Sequence, residues 1–268
     1  MFSMGFYAVT TFFVAVLVYN LALMIFLGSK EHSPRSFSLS VGILATWALS
    51  WGFAYAFAGI KDYETAAFFI RCGYFFGAMV SVTVLYFSLT YPDNHRPAPF
   101  VRELFVFATF LMVILFYTKD ILVLFGKTFV FEHTVITNSF LTPGGYLAWG
   151  KGDFYFFFDI IFIGFFAATL GTLWQKYVQQ TDDTHRKRAL FMFWAIATGF
   201  VPTTVLNVAF PQLKIFAFNW FGLMSSFGWV SIMAYSIVKQ GQMNVRTATA
   251  ELLVVALILL MFIGMFAV

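Results

Sequence analysis

Charge is the scarcest ingredient of this chain. Asp, Glu, Lys and Arg make up 10% of its 268 residues, where a soluble domain carries about 25%, so a water-facing globular surface is excluded. Cysteine is represented by Cys72 alone, which excludes an internal disulfide. Histidine is confined to positions 32, 95, 133 and 185, all in links between apolar runs. Zinc or paired-histidine haem ligation inside a membrane needs histidine within the spans and is excluded with it. A Gly-x-Ser-x-Gly motif, an intramembrane Asp pair and a Gly-rich phosphate loop ending in Lys-Ser/Thr are all missing, and with them the common nucleophilic and nucleotide-dependent chemistries. A retinal Schiff base needs a lysine midway along the last helix, yet "FAFNWFGLMSSFGWVSIMAYSIVK" meets its first, Lys239, only at its end. The expectation is a chain without catalytic residues, metal or cofactor.

Apolar residues fill the space that charge leaves: 61% are hydrophobic, 22% aromatic, and the mean hydropathy is +0.84. A helix crosses the ~30 Å hydrocarbon core with roughly 20 apolar residues, and seven runs near that length are read at 6–27, 37–60, 66–90, 103–118, 153–175, 188–210 and 216–238. An eighth begins near Glu251 and reaches Val268. It has no polar face, as an interfacial helix would, and reads as a span of a longer protein cut inside or just after it. The expected fold is all-α: a polytopic seven-transmembrane helix bundle over 1–240, then a cytoplasmic link and eighth hydrophobic helix over 241–268. Lys and Arg accumulate on the cytoplasmic side of short loops. The first, third, fifth and seventh links hold ten (Lys30, Arg35, Arg96, Arg102, Lys176, Arg186, Lys187, Arg188, Lys239, Arg246) and the opposite links five. This predicts an inner-membrane protein with its amino terminus outside. Residues 1–6 contain no Lys or Arg, so the first span lacks the basic region of a cleaved signal peptide and is expected to be retained.

Few polar residues stand out against this background. The link over 119–152, about 34 residues, is too long for a passive connection, and its β-branched and aromatic residues around a Pro-Gly-Gly turn predict an outer hairpin or lid. Such a lid would place Glu132, His133, Asn138 and Trp149 near an entering ligand; the alternative is a cap that shields helix ends. Arg71 and Asp159 lie within spans three and five at similar depth in the outer leaflet, and a charge there costs enough to need a reason. Either they form a ligand pocket whose charges re-pair on binding, or they are a static pair or snorkelling side chains. Asn20, Asn207 and Asn219 are read as interhelical hydrogen bonds, and Gly73 and Gly77 as a G-x-x-x-G close approach. Pro202 in "GFVPTTVLN" predicts a kink and a hinge in span six, with Thr203 and Thr204 able to compensate the freed carbonyl. Lys176, Arg186, Lys187 and Arg188 form a basic inner patch suited to anionic lipid headgroups, or else simply mark topology.

Four segments, "LYFSLTYPDNHRP" closing span three, "TPGGYLAWGKGDFYFFF" leading into span five, "HRKRALFMFWAIATGF" at span six and "AYSIVKQGQMNVRTATAELLVV" after span seven, together resemble the amino-terminal seven-helix sensor region of bacterial histidine kinases. The last departs from that family's usual His-Arg-Leu-Phe-Asp-Ile-Arg, matching it only in the "AYSIVK" approach and in Val245 and Arg246. The resemblance implies a sensory input module whose kinase output lies outside this sequence, with a homodimer as the working state. It names no ligand and carries no ligand residues across. The expected partners are membrane lipids, an unknown small ligand and a second copy, with no nucleic acid. Two rivals from other classes stand beside it: a small transporter or channel, against which there is no internal repeat, and a structural membrane subunit.

Overall fold

The computed structural model describes residues 4–92, 120–124, 127–131, 136–143, 145–152 and 155–218, with further positions within 99–109 and 221–235. Among the described residues, five helices are long and apolar enough to cross a membrane. In chain order they are α1 (Met4–Gly28), α2 (His32–Gly59), α3 (Tyr63–Thr90), α4 (Tyr155–Gln179) and α5 (Asp183–Thr204), which runs on through a π-helical turn at Val205–Ala209 into α6, Phe210–Gln212. They correspond to the expected spans one, two, three, five and six. Spans four and seven are described only at scattered positions, and the eighth lies outside the described residues, as do Val245 and Arg246.

Two helices begin earlier than hydropathy predicts, α2 by five residues and α5 by five. Their first turns, "HSPRS" and "DTHRK", are polar, but Pro34 in the opening turn needs no N–H partner. Asp182 caps α5 by accepting from the Thr184 N–H at 3.1 Å. The α3 start is set the same way, with Asp62 accepting from the Thr65 N–H at 3.1 Å.

Links of three residues leave α1, α2 and α3 no choice but to lie antiparallel as neighbours; α4 packs on α3, and α5 on α4. Among the residues α1 and α2 bury are the small Ala15, Ala22, Ala45 and Ala48, the residue type that lets two backbones approach where lipid offers no hydrophobic drive. Ser38 then donates to the Ala22 carbonyl at 2.7 Å. The outward faces carry Val9, Phe13, Val16, Leu23 and Phe26, all exposed. In water such a surface would be an aggregation hazard; in a bilayer it is the lipid boundary. The two glycines predicted to admit a neighbour do so for tryptophans of α2: a Cβ at Gly73 would stand 3.0 Å from Trp51 Nε1, and one at Gly77 3.4 Å from Trp47 Nε1.

The long link carries two antiparallel hairpins, β1 (Asp120–Leu124) with β2 (Lys127–Phe131), and β3 (Ile136–Leu141) with β4 (Leu147–Lys151). The second turns through the predicted Pro-Gly-Gly segment: Gly145 N–H donates to the Thr142 carbonyl at 2.7 Å and Thr142 N–H to Tyr146 at 2.9 Å. Gly145 sits at φ 73°, the left-handed position that a loop of this length reserves for glycine.

Candidate functional site beneath the second hairpin

Hairpin β3–β4 lies against α3. Arg71 Nε donates to the Ile136 carbonyl at 2.9 Å, and Ser139 Oγ to the Tyr63 carbonyl at 2.6 Å. A bulge between Ile136 and Ser139 shifts the register, and Leu147, Ala148 and Trp149 are buried in succession, so both faces of β4 are covered at that point. Asn138 braces the hairpin by accepting from the Gly150 N–H at 3.1 Å.

Trp149 is the hub. Its ring centroid lies 5.2 Å from Trp51, 5.8 Å from Tyr74 and 5.0 Å from Phe216, while Tyr74 meets Phe158 edge-on at 4.7 Å and shares a 3.1 Å hydroxyl contact with Tyr155. Aromatic contacts of this kind contribute about 0.5–1.5 kcal/mol each beyond the area they bury. The Trp149 indole N–H, buried, completes no hydrogen bond.

Beside the rings runs a polar bridge. Lys151 donates to Gln212 Oε1 at 2.5 Å, and Gln212 Nε2 donates in turn to Asp159 Oδ2 at 2.7 Å. The ammonium also stands 4.7 Å over the Tyr155 ring. One amide thus presents its oxygen to a cation and its nitrogen to a carboxylate, the orientation that both charges favour. Partial burial pulls the Lys151 pKa down, and the Asp159 charge opposes that. Asp159 Oδ1 is buried without a partner. Three elements meet here: the hairpin through Lys151, α4 through Asp159, and the end of the α5–α6 rod through Gln212. That rod contains Pro202, the π-helical turn three residues later, and two further buried polar atoms with no hydrogen bond, Thr204 Oγ1 and Asn207 Nδ2. Single π turns occur preferentially at functional sites.

Arg71 and Asp159 both connect to the second hairpin but do not pair with each other: Asp159 is held by Gln212, which Lys151 joins to the hairpin, while Arg71 turns to the Ile136 carbonyl. Equal depth leaves open which way each side chain faces round its helix. Glu132, His133 and Asn219 lie outside the described residues. Asn20 bonds the Val16 carbonyl of its own helix at 2.8 Å rather than a neighbour. Lys176 is drawn inward, donating to the Leu89 and Tyr91 carbonyls at 2.9 and 2.5 Å, because the end of α3 leaves carbonyls without helical partners. Arg186 lies 5.0 Å over Tyr177 and Lys187 pairs with Asp183 at 2.5 Å, both exposed; with the half-buried Arg188 they are what remains of the basic patch.

Sequence reasoning missed Gln212, Lys151, Tyr74 and Trp51. Lys151 was legible only as a loop charge, and nothing local marks Gln212 in "FPQLK" as the acceptor and donor between two charges. Among the described residues no group of three His, Cys, Asp or Glu side chains could hold a metal. Comparison of the chain with protein-family models, with curated proteins and with solved structures finds no match to any of them.

Proposed function

We propose that the chain is the sensory input module of a signal-transduction protein of the histidine-kinase type. It lies in the inner membrane as a seven-helix bundle followed by an eighth hydrophobic helix, with its amino terminus outside, and reads a stimulus at the hairpin end. The observation that carries this reading is the Lys151–Gln212–Asp159 bridge, which ties an outer hairpin to the far end of a helix interrupted by a proline and a π turn. A stimulus shifts a two-state equilibrium only by binding the two states differently. A small ligand seated beneath the hairpin, against the rings of Trp149 and Tyr74 and the free oxygen of Asp159, would do so by competing for the bridge. Releasing Gln212 frees the α5–α6 rod to move relative to α4, and the following helix passes that movement inward.

The test joins the chain to a histidine-kinase output core and records autophosphorylation. Hydrogen bonds to charged groups contribute about 1.5–3 kcal/mol, and about 1.4 kcal/mol is tenfold in an equilibrium, so Gln212→Leu is expected to shift basal output roughly tenfold. Arg71→Ala with Asp159→Ala should also change output. Unaltered output in both, with folding intact, sinks the reading; ion flux through the wild-type chain in proteoliposomes would replace it with a transporter.

A further inference from the structure

Away from the hairpin, α1 and α2, with Tyr86 of α3, line an open groove of about 650 Å³, within the range of small-molecule sites. Its length is set by α2, from His32 at one end to Thr46 at the other. Fourteen residues at ~1.5 Å each give ~21 Å, which is half of the ~40–45 Å that a bilayer spans including its headgroups. The groove therefore extends from headgroup level to the bilayer midplane, the full depth of one leaflet.

Its chemistry is polarised along that length. Leu23, Phe26, Leu39 and Ile43 make the walls apolar, and the floor is closed by the Ser38 hydrogen bond to α1. At the midplane end the hydroxyls of Tyr19 and Thr46 satisfy each other, so nothing polar there asks for a ligand atom. At the other end stands Arg35, exposed, its Nε committed to the Ser29 carbonyl at 3.0 Å and its plane held 5.2 Å from the Phe26 ring. Those two contacts engage Nε and one face of the guanidinium. Among the described residues no carboxylate pairs with it, and on the adjoining link Lys30 and Glu31 offset each other. In the middle of the groove, a Cβ placed on Gly42 would meet nothing within 4 Å: the missing side chain is what opens the channel.

We propose that this groove is a binding site for one anionic phospholipid, an acyl chain lying over Gly42 and the phosphate held by Arg35. A guanidinium fork matches phosphate geometry, and a single immobilised cation at headgroup level selects anionic over zwitterionic lipid. In the orientation proposed above, with the amino terminus outside, this end lies in the cytoplasmic leaflet, where anionic lipids concentrate.

The purified full chain is titrated with phosphatidylglycerol or phosphatidylcholine in mixed micelles, and retained lipid is counted by native mass spectrometry. The wild type is expected to retain one phosphatidylglycerol in preference to phosphatidylcholine. Gly42→Leu fills the channel without weakening the helix, leucine being the better helix former, and should lower retention of both lipids about tenfold or more; Gly42→Ala, a smaller intrusion, should lower it less. Arg35→Gln should keep the chain site but reduce the anionic preference about fivefold. Retention unchanged in Gly42→Leu, or preference unchanged in Arg35→Gln, overturns the proposal. Displacement by glycerol 3-phosphate alone also overturns it, since the occupant would then be a free phosphate, as does a dimer lost in Gly42→Leu with lipid retention intact, which would make the occupant a second copy.

Discussion

Single residues carry most of the chemistry legible here, and their contributions separate by experiment. Gln212 holds two opposite charges that do not touch each other directly. Replacing it with leucine leaves Asp159 with both oxygens unpartnered, and the detergent-solubilised protein should lose about 1.5–3 kcal/mol of stability, read as a lowered thermal midpoint. Gly73 is a packing residue: with Trp51 Nε1 3.0 Å from where its Cβ would be, Gly73→Val should displace the indole and cost about 1–3 kcal/mol, with a change in tryptophan emission. Asp62 sets a pH dependence. Its bonds to Thr65 hold the carboxyl below the ordinary 3.8, so the folded chain binds that proton less readily than the unfolded one. The stabilisation is full above about 3.8 and is lost as pH falls through the lower folded value. The thermal-midpoint gap between wild type and Asp62→Ala should be constant near neutrality and close in acid; a gap that widened on acidification would contradict the capping role.

At the scale of elements, the π turn at Val205–Ala209 makes a sharp prediction. A π turn holds one residue more than regular α-helix needs, so deleting Val205, which is exposed, should let the segment close into α-helix with Gln212 still facing Asp159. The same deletion at Ala195, buried in regular helix, rotates everything beyond it by about 100° at 3.6 residues per turn and should break the bridge. Comparing the two deletions by thermal midpoint decides whether the turn is a spare residue or a fixed joint. The elements also show where sequence was readable. Hydropathy located α1 to α5 because lipid asks for unbroken apolar runs, but it missed the first turns of α2 and α5, whose residues are mostly polar and so carry no apolar signal. Pro202 was readable as a disturbance; that the disturbance takes the form of a wider turn downstream was not, because it depends on which carbonyls find partners in the folded bundle.

For the whole molecule, membrane residence followed from the scarcity of charge, while the candidate site did not follow from any local pattern. Arg71, Asp159 and Trp149 could be singled out because each is conspicuous where it stands, two in spans with a charge, one in a loop with a large ring. Their actual partners lie far along the chain, Gln212 being 53 residues from Asp159 and Ile136 65 from Arg71, and pairings at that separation are set by the packing of helices around one another.

The Lys176 ammonium has a consequence for biosynthesis. It completes the end of α3 through Leu89 and Tyr91, which precede it by 87 and 85 residues. At translation rates of about 5–20 residues per second, the ribosome adds Lys176 some 4–17 s after those carbonyls. During that interval the first three helices sit in the membrane with the last turn of α3 unfinished, so a nascent chain arrested before residue 176 should be a poorer three-helix unit than the same helices in the finished protein.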